Sequence, residues 1–291
     1  MMYTDYMGMI AGLVSMFFWG TGDFIAATLS RRIGYVRALL WATIFGDIFI
    51  VLYALITGTL FNITTSAFLL AATGGLLHTF GSLSFYKGLK EGKVSLVAPI
   101  SSGWSLILVL SGVLLYGEVL TSYQTGAIAL VIIGSILVST DLRELRASSK
   151  INLSDPGIPY AFVALFSWGI GWLFFNESVK QIGWILPNII LSSTIIFFLV
   201  IYSTVSKQAI TTPNNRSDWL RAIFIGLTTI VAYASYSIGI EKYLTSLVGP
   251  LAAAYPLVTV ILASLILREK TVLNQKLGII GVISGVALMS V

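Results

Sequence analysis

Cysteine is absent from this 291-residue chain. Disulfides and thiolate metal sites are thereby excluded, the redox compartment stays open, and no metal or cofactor is expected. Charge is scarce as well. Only 10% of residues are Asp, Glu, Lys or Arg, against about 25% in an ordinary soluble domain, which leaves too little polar surface to face water. The first residues lack a basic segment, Asp5 being their one charge, so no cleavable signal peptide is expected. What fills the chain is apolar: 57% hydrophobic residues and a mean hydropathy of +0.93. Runs of about 20 such residues are the signature of membrane-spanning helices.

Cutting at charged and turn-rich loops predicts ten spans, at 7–29, 36–58, 66–88, 94–116, 121–140, 157–178, 184–206, 219–240, 246–267 and 275–291. The pI of about 9.3 would suit a nucleic-acid binder, but the basic residues sit in short loops and form no phosphate-tracking patch. Odd-numbered loops hold 15 of the 17 Lys and Arg; Lys180 and Lys242 are the exceptions. By the positive-inside rule those loops are cytoplasmic and both termini face outward. The expectation is a multi-pass protein of the plasma membrane, with the bilayer as its partner, no nucleic acid, and a monomeric or weakly dimeric state.

The two halves resemble each other. WGTG at 19–22 matches WGIG at 168–171, and the same shift of 149 carries Gly34 onto Gly183. SLVAPI at 95–100 matches SLVGPL at 246–251, and that shift of 151 carries Glu118 onto Glu269. This predicts one repeat at 1–140, a cytoplasmic linker at 141–156 and a second repeat at 157–291. An odd number of spans per half sets the second copy upside down, a recurrent plan for secondary transporters.

The run from Val94 to Val138 and its echo from Thr245 to Met289 resemble the EamA domain of the drug/metabolite transporter superfamily. The shared marks are a proline early in the fourth helix of each half, a Glu just after that helix, and a glycine-spaced fifth helix. The resemblance implies an all-α integral membrane protein of ten helices in two inverted five-helix repeats. It also implies a central cavity lined by helices 1, 3, 4, 6, 8 and 9, and substrates such as amino acids, sugars or nucleotide derivatives. DFIAATLSR at 23–31 is similar to the first helix of small multidrug resistance proteins, where a carboxylate matching Asp23 binds protons and substrate in competition. The second half has Trp172 at that place.

Asp23 interrupts an apolar run, where a carboxylate costs about 2.5–3.5 kcal/mol at mid-helix. An acid inside a membrane is a functional candidate, for proton coupling and substrate binding; the alternative is a structural pair with Arg31 or Lys87. Asp47 and His78 fall near the centres of spans 2 and 3, which a short loop joins, so the two are expected to meet as a proton relay or as an ion pair between helices. Trp19, Trp104, Trp168, Trp172, Tyr233, Tyr236 and Tyr255 carry polar handles at cavity depth; all but Tyr236 are taken as substrate-binding candidates, beside Asp23 and His78. Ordinary packing is the competing reading of each. Glu118 and Glu269 read as caps or braces. GTGD at 20–23 also fits the GxGD pattern of intramembrane aspartyl proteases, with Asp47 as second acid, but the chain lacks a PAL signature and its duplication is foreign to that enzyme. No filter-like loop argues for a channel. The expected function is therefore not enzymatic. It is secondary active transport of a small organic metabolite by alternating access, with proton coupling through Asp23, Asp47 and His78.

Overall fold

The computed structural model describes residues 2–59, 63–143, 155–207 and 210–289. Most of the expected linker, 144–154, lies outside them. Among the described residues there are twelve helices and no strand. They are α1 (Met2–Ile33), α2 (Tyr35–Ile56), α3 (Thr65–Glu91), α4 (Val94–Ser102), α5 (Trp104–Leu114) and α6 (Ser122–Ser139) in the first half. The second half has α7 (Gly157–Ile182), α8 (Ile185–Val205), α9 (Arg216–Lys242), α10 (Thr245–Ala253), α11 (Pro256–Ile266) and α12 (Leu273–Met289).

Among the described residues, nine spans are long and apolar enough to cross a membrane when α4 joins α5 and α10 joins α11; α12, at 17 residues, is the shorter tenth apolar helix. The fourth and ninth spans are thus split, one at Gly103 and the other at Ala254–Tyr255. Each carries a proline, Pro99 or Pro250, which removes a helix hydrogen bond. The break falls four residues beyond it in both. Helix starts are fixed by side chains: Thr64 accepts from the Ala67 amide, Asn215 from the Asp218 amide, and Thr121 with Gln124 forms a capping box. The first helix of each half stops at a glycine in the left-handed region, Gly34 (φ 84°) and Gly183 (φ 76°), at matching positions of the repeat. Large apolar side chains such as Phe17, Leu52, Phe80, Phe166 and Phe197 are exposed around the outside, as lipid-facing surfaces require.

The halves interlock rather than stand side by side. α1 packs on α9, α10 and α11, while α7 packs on α3, α4 and α5. α2 packs on α9, and α3 on α8. Each pairing maps onto its counterpart when the halves are exchanged. Two equivalent pairs pack along each other. Asp47 of α2 bonds to Ser192 of α8, and further along Tyr53 meets Trp184. Asn274 of α12 donates to the carbonyls of Leu137 in α6 and of Thr140 just after it, while Gly285 approaches Ala127. As one helix ascends in number its partner descends, so equivalent helices run antiparallel and the second copy is inverted. Where α6 crosses α12 the backbones nearly touch: a Cβ on Gly134 would lie 2.8 Å from the Gly278 carbonyl. Close approach of small residues is how helices associate in lipid.

Candidate functional site

At the seam of the halves lies a cavity of about 210 Å³. Trp19, Asp23, Asp47, His78, Trp104, Trp168, Trp172, Tyr233 and Tyr255 all line it; nine residues singled out in the sequence are brought to one place. The α1/α9 and α3/α7 pairs form facing walls, and α2 and α8 supply Asp47 and Ser192. Trp104 and Tyr255, the first residues beyond Gly103 and Ala254, reach the cavity because the split helices turn there.

The inner end of the cavity is an aromatic box. The Trp19 ring lies 5.5 Å from Trp172, 5.5 Å from Tyr233 and 6.3 Å from Tyr255, and Trp104 stacks on Trp172 at 6.1 Å. Such spacings give edge-to-face and offset contacts rather than closed stacks. Tyr236 packs behind this layer, 5.6 Å from Trp19 and 4.9 Å from Trp172, fully buried and outside the lining. A polar chain crosses the box. The Tyr233 hydroxyl and His78 Nε2 are 3.4 Å apart, His78 Nδ1 and Ser82 Oγ are 3.5 Å apart, and Trp168 Nε1 donates to Ser82 Oγ at 3.4 Å.

Asp23 projects into the void, one helical turn below Trp19. Among the described residues no hydrogen bond or ion pair engages its carboxylate. Of the cations named as its structural partners, Lys87 lies over the Tyr160 ring and reaches Glu91, and Arg31 makes no ion pair with it among the described residues. Tyr86, Tyr233 and Tyr255 are near enough to feel its charge. No Lys or Arg is among the lining residues.

The expected meeting of Asp47 with His78 is corrected. Asp47 accepts from the Ser192 hydroxyl and, at 3.4 Å, from that of Ser193, while His78 faces Ser82 and Tyr233. The short α2–α3 loop suggested adjacent helices, but α8 packs against both of them and takes up Asp47. Nor does any hydrogen bond join Asp47 to Asp23 among the described residues.

Several lining residues escaped the sequence. Tyr86 continues the His78–Ser82 stripe of α3 by one more turn, a signal that was present. It stacks on Tyr35 at 4.4 Å and 19° where the cavity meets the basic-loop end. Ser192 gave no signal, since its role depends on how α8 meets α2.

The profile of the EamA-like transporter family matches residues 6–140 and again 155–291. An uncharacterised protein of Methanocaldococcus jannaschii is 32% identical over 130 residues, covering 45% of this chain and 94% of that protein, so it has about the length of one half. A solved crystal structure superposes with a TM-score of 0.78 at 15% identity, covering 97% of this chain and 96% of the other. That likeness shows the fold.

Proposed function

The chain belongs to the EamA-like transporter family of membrane carriers for small solutes, and on that premise we propose that it is a secondary active transporter of a small organic metabolite, working by alternating access and coupled to protons through Asp23. The observation that carries this reading is an unpaired carboxylate in an aromatic-walled cavity on the seam of two inverted repeats. Exposed rings and hydroxyls suit an organic solute. The free Asp23 carboxylate, with Asp47 as a second lining acid and no lining cation, disfavours anionic solutes and favours neutral or cationic ones. When the site is empty, a proton is the cheapest neutraliser of that charge, and a cationic solute competes with it. The cavity meets the membrane surface at the basic-loop end, taken as cytoplasmic by the positive-inside rule. His78 and Tyr233 act as hydrogen-bonding solute contacts, whereas Asp47, held by two serines, stabilises the wall.

Counterflow in proteoliposomes with a metabolite panel tests the reading. The wild-type protein is expected to accumulate labelled solute and to respond to an imposed proton gradient. Asp23→Asn is expected to exchange solute with that response abolished. Equal gradient responses from the two proteins would defeat proton coupling, and absence of transport for every solute class would defeat the carrier assignment.

A further inference from the structure

The seam between the halves is sealed at one end and open at the other, and a matched pair of glutamates marks the two ends. Glu118 follows α5 and Glu269 follows α11. Each comes directly after a left-handed residue, Gly117 (φ 65°) or Arg268 (φ 57°). The Glu118 amide donates to the Gly112 carbonyl at 2.9 Å, and the Glu269 amide to the Ala263 carbonyl at 3.4 Å. The two helix ends therefore have the same backbone geometry.

Their surroundings differ. The Glu118 carboxylate accepts from the Thr245 amide at 2.8 Å and the Ser246 amide at 2.9 Å. These are first-turn amides of α10, which a helix start leaves without partners of its own and which favour negative charge. α5 packs along α10, with Leu108 against Gly249, and α10 is buried over its whole length. Glu269 is exposed, and its carboxylate has no hydrogen bond among the described residues. α11 makes no packing of comparable extent with α4, and the cavity reaches Ser30, Tyr35 and Tyr86 at this end. On the sealed side the hydroxyls of Ser15, Thr245 and Ser246 are buried without a hydrogen-bond partner among the described residues. Buried polar groups are normally satisfied. Parting of the seam above them would expose all three to water.

We propose that Glu118 and Glu269 are reciprocal gate residues of the transport cycle. Glu118 bonds the α10 N-terminus while the cavity is open at the basic-loop end, and Glu269 bonds the α4 N-terminus when the opposite end is open. The proposal rests on the alternating-access reading. Ala263 stands where Gly112 does, and a Cβ at Gly112 would lie 2.4 Å from Glu118 Oε2. Glu269 must therefore reach α4 in another rotamer, which makes its brace the weaker one and the observed closure the resting state.

The lack of native cysteine permits a direct test. Ser246→Cys is labelled with a maleimide in nanodiscs, where both faces are accessible, and the rate reads opening of the sealed end. Glu118→Gln is expected to accelerate labelling about tenfold, the order of one charge-assisted hydrogen bond. Glu269→Gln is expected to slow it, by a smaller factor. Acceleration by Glu118→Gln without a response to Glu269→Gln would reduce Glu118 to a helix cap and overturn the proposal, as would changes of the same sign or none. Should Glu118→Gln fail to fold, exposed Glu269 decides alone: slowing supports the proposal and an unchanged rate overturns it. Labelling needs no solute, so this outcome is independent of whether counterflow identifies one.

Discussion

His78 is the one histidine of the chain, and its two ring nitrogens face the hydroxyls of Ser82 and Tyr233. Whichever nitrogen carries the proton, one hydroxyl accepts and the other donates, so the chain from Trp168 to Tyr233 holds the imidazole in place. Coupling across the Tyr233–His78 pair follows. His78→Asn and Tyr233→Phe are each expected to weaken solute affinity, and the double variant to lose less than the sum by about 0.5–3 kcal/mol; saturation counterflow measures all four proteins, and additivity would separate the two residues. At the basic-loop end, Asp218 is buried and bonds to Arg32 at 2.7 Å and Arg221 at 3.2 Å. Arg32 is half exposed, so the loss in Asp218→Ala is moderate, about 1–3 kcal/mol, read as a lower thermal midpoint in detergent. Individual residues were legible where they broke a pattern. Asp23 stands out because a carboxylate in an apolar run needs a reason, and Trp104 and Tyr255 because they share one register behind paired prolines. Asp47 was misjudged because adjacency in sequence was taken for packing, and Ser192 was invisible for the same reason.

At the scale of the element, apolar run length made the helices legible, while their breaks and crossings were set by neighbours. Proline marked the fourth and ninth spans, yet the turns fall at Gly103 and Ala254–Tyr255, where the cavity wall begins. Glycines looked alike in sequence but differ by contact. At Gly134 a Cβ would meet the Gly278 carbonyl and the Val282 amide at 2.8 Å, whereas at Gly126 the nearest atom is the end of Leu288 at 3.8 Å. Gly134→Ala is expected to force α6 from α12 and to cost about 1–3 kcal/mol. Gly126→Ala has room and gains up to about 0.8–1 kcal/mol of helix propensity. Thermal unfolding of both variants checks the contrast; equal effects would mean that the α6–α12 crossing is not as close as described.

For the whole molecule, the decisive feature is that most of the extensive helix pairings join one half to the other. α1 finds its partners in α9, α10 and α11, α3 in α7 and α8, and α6 in α12. Duplication and loop charge made the inversion legible in the sequence, because an odd number of spans per copy leaves no other orientation. The interlocking was not legible, since shift-matched motifs say which segments are equivalent and nothing about which of them touch. Interlocking also separates two pictures of assembly. If each half were a domain with its own core, residues 1–143 alone would give a stable five-helix body. Here the polar and small-residue faces of α1, α3 and α6 are covered mainly by the other copy, and lipid is a poor substitute for them because helix association in a bilayer depends on close packing and hydrogen bonds. Expressed separately, segments 1–143 and 155–291 are each expected to be degraded or to aggregate. Expressed together, they are expected to co-purify as a 1:1 complex, seen by affinity capture of one tagged segment, with the Ser178 hydroxyl again reaching the Ala67 carbonyl across the joint. A stable, monodisperse first segment on its own would show that the halves close separately, and the cavity could then not be a product of their seam.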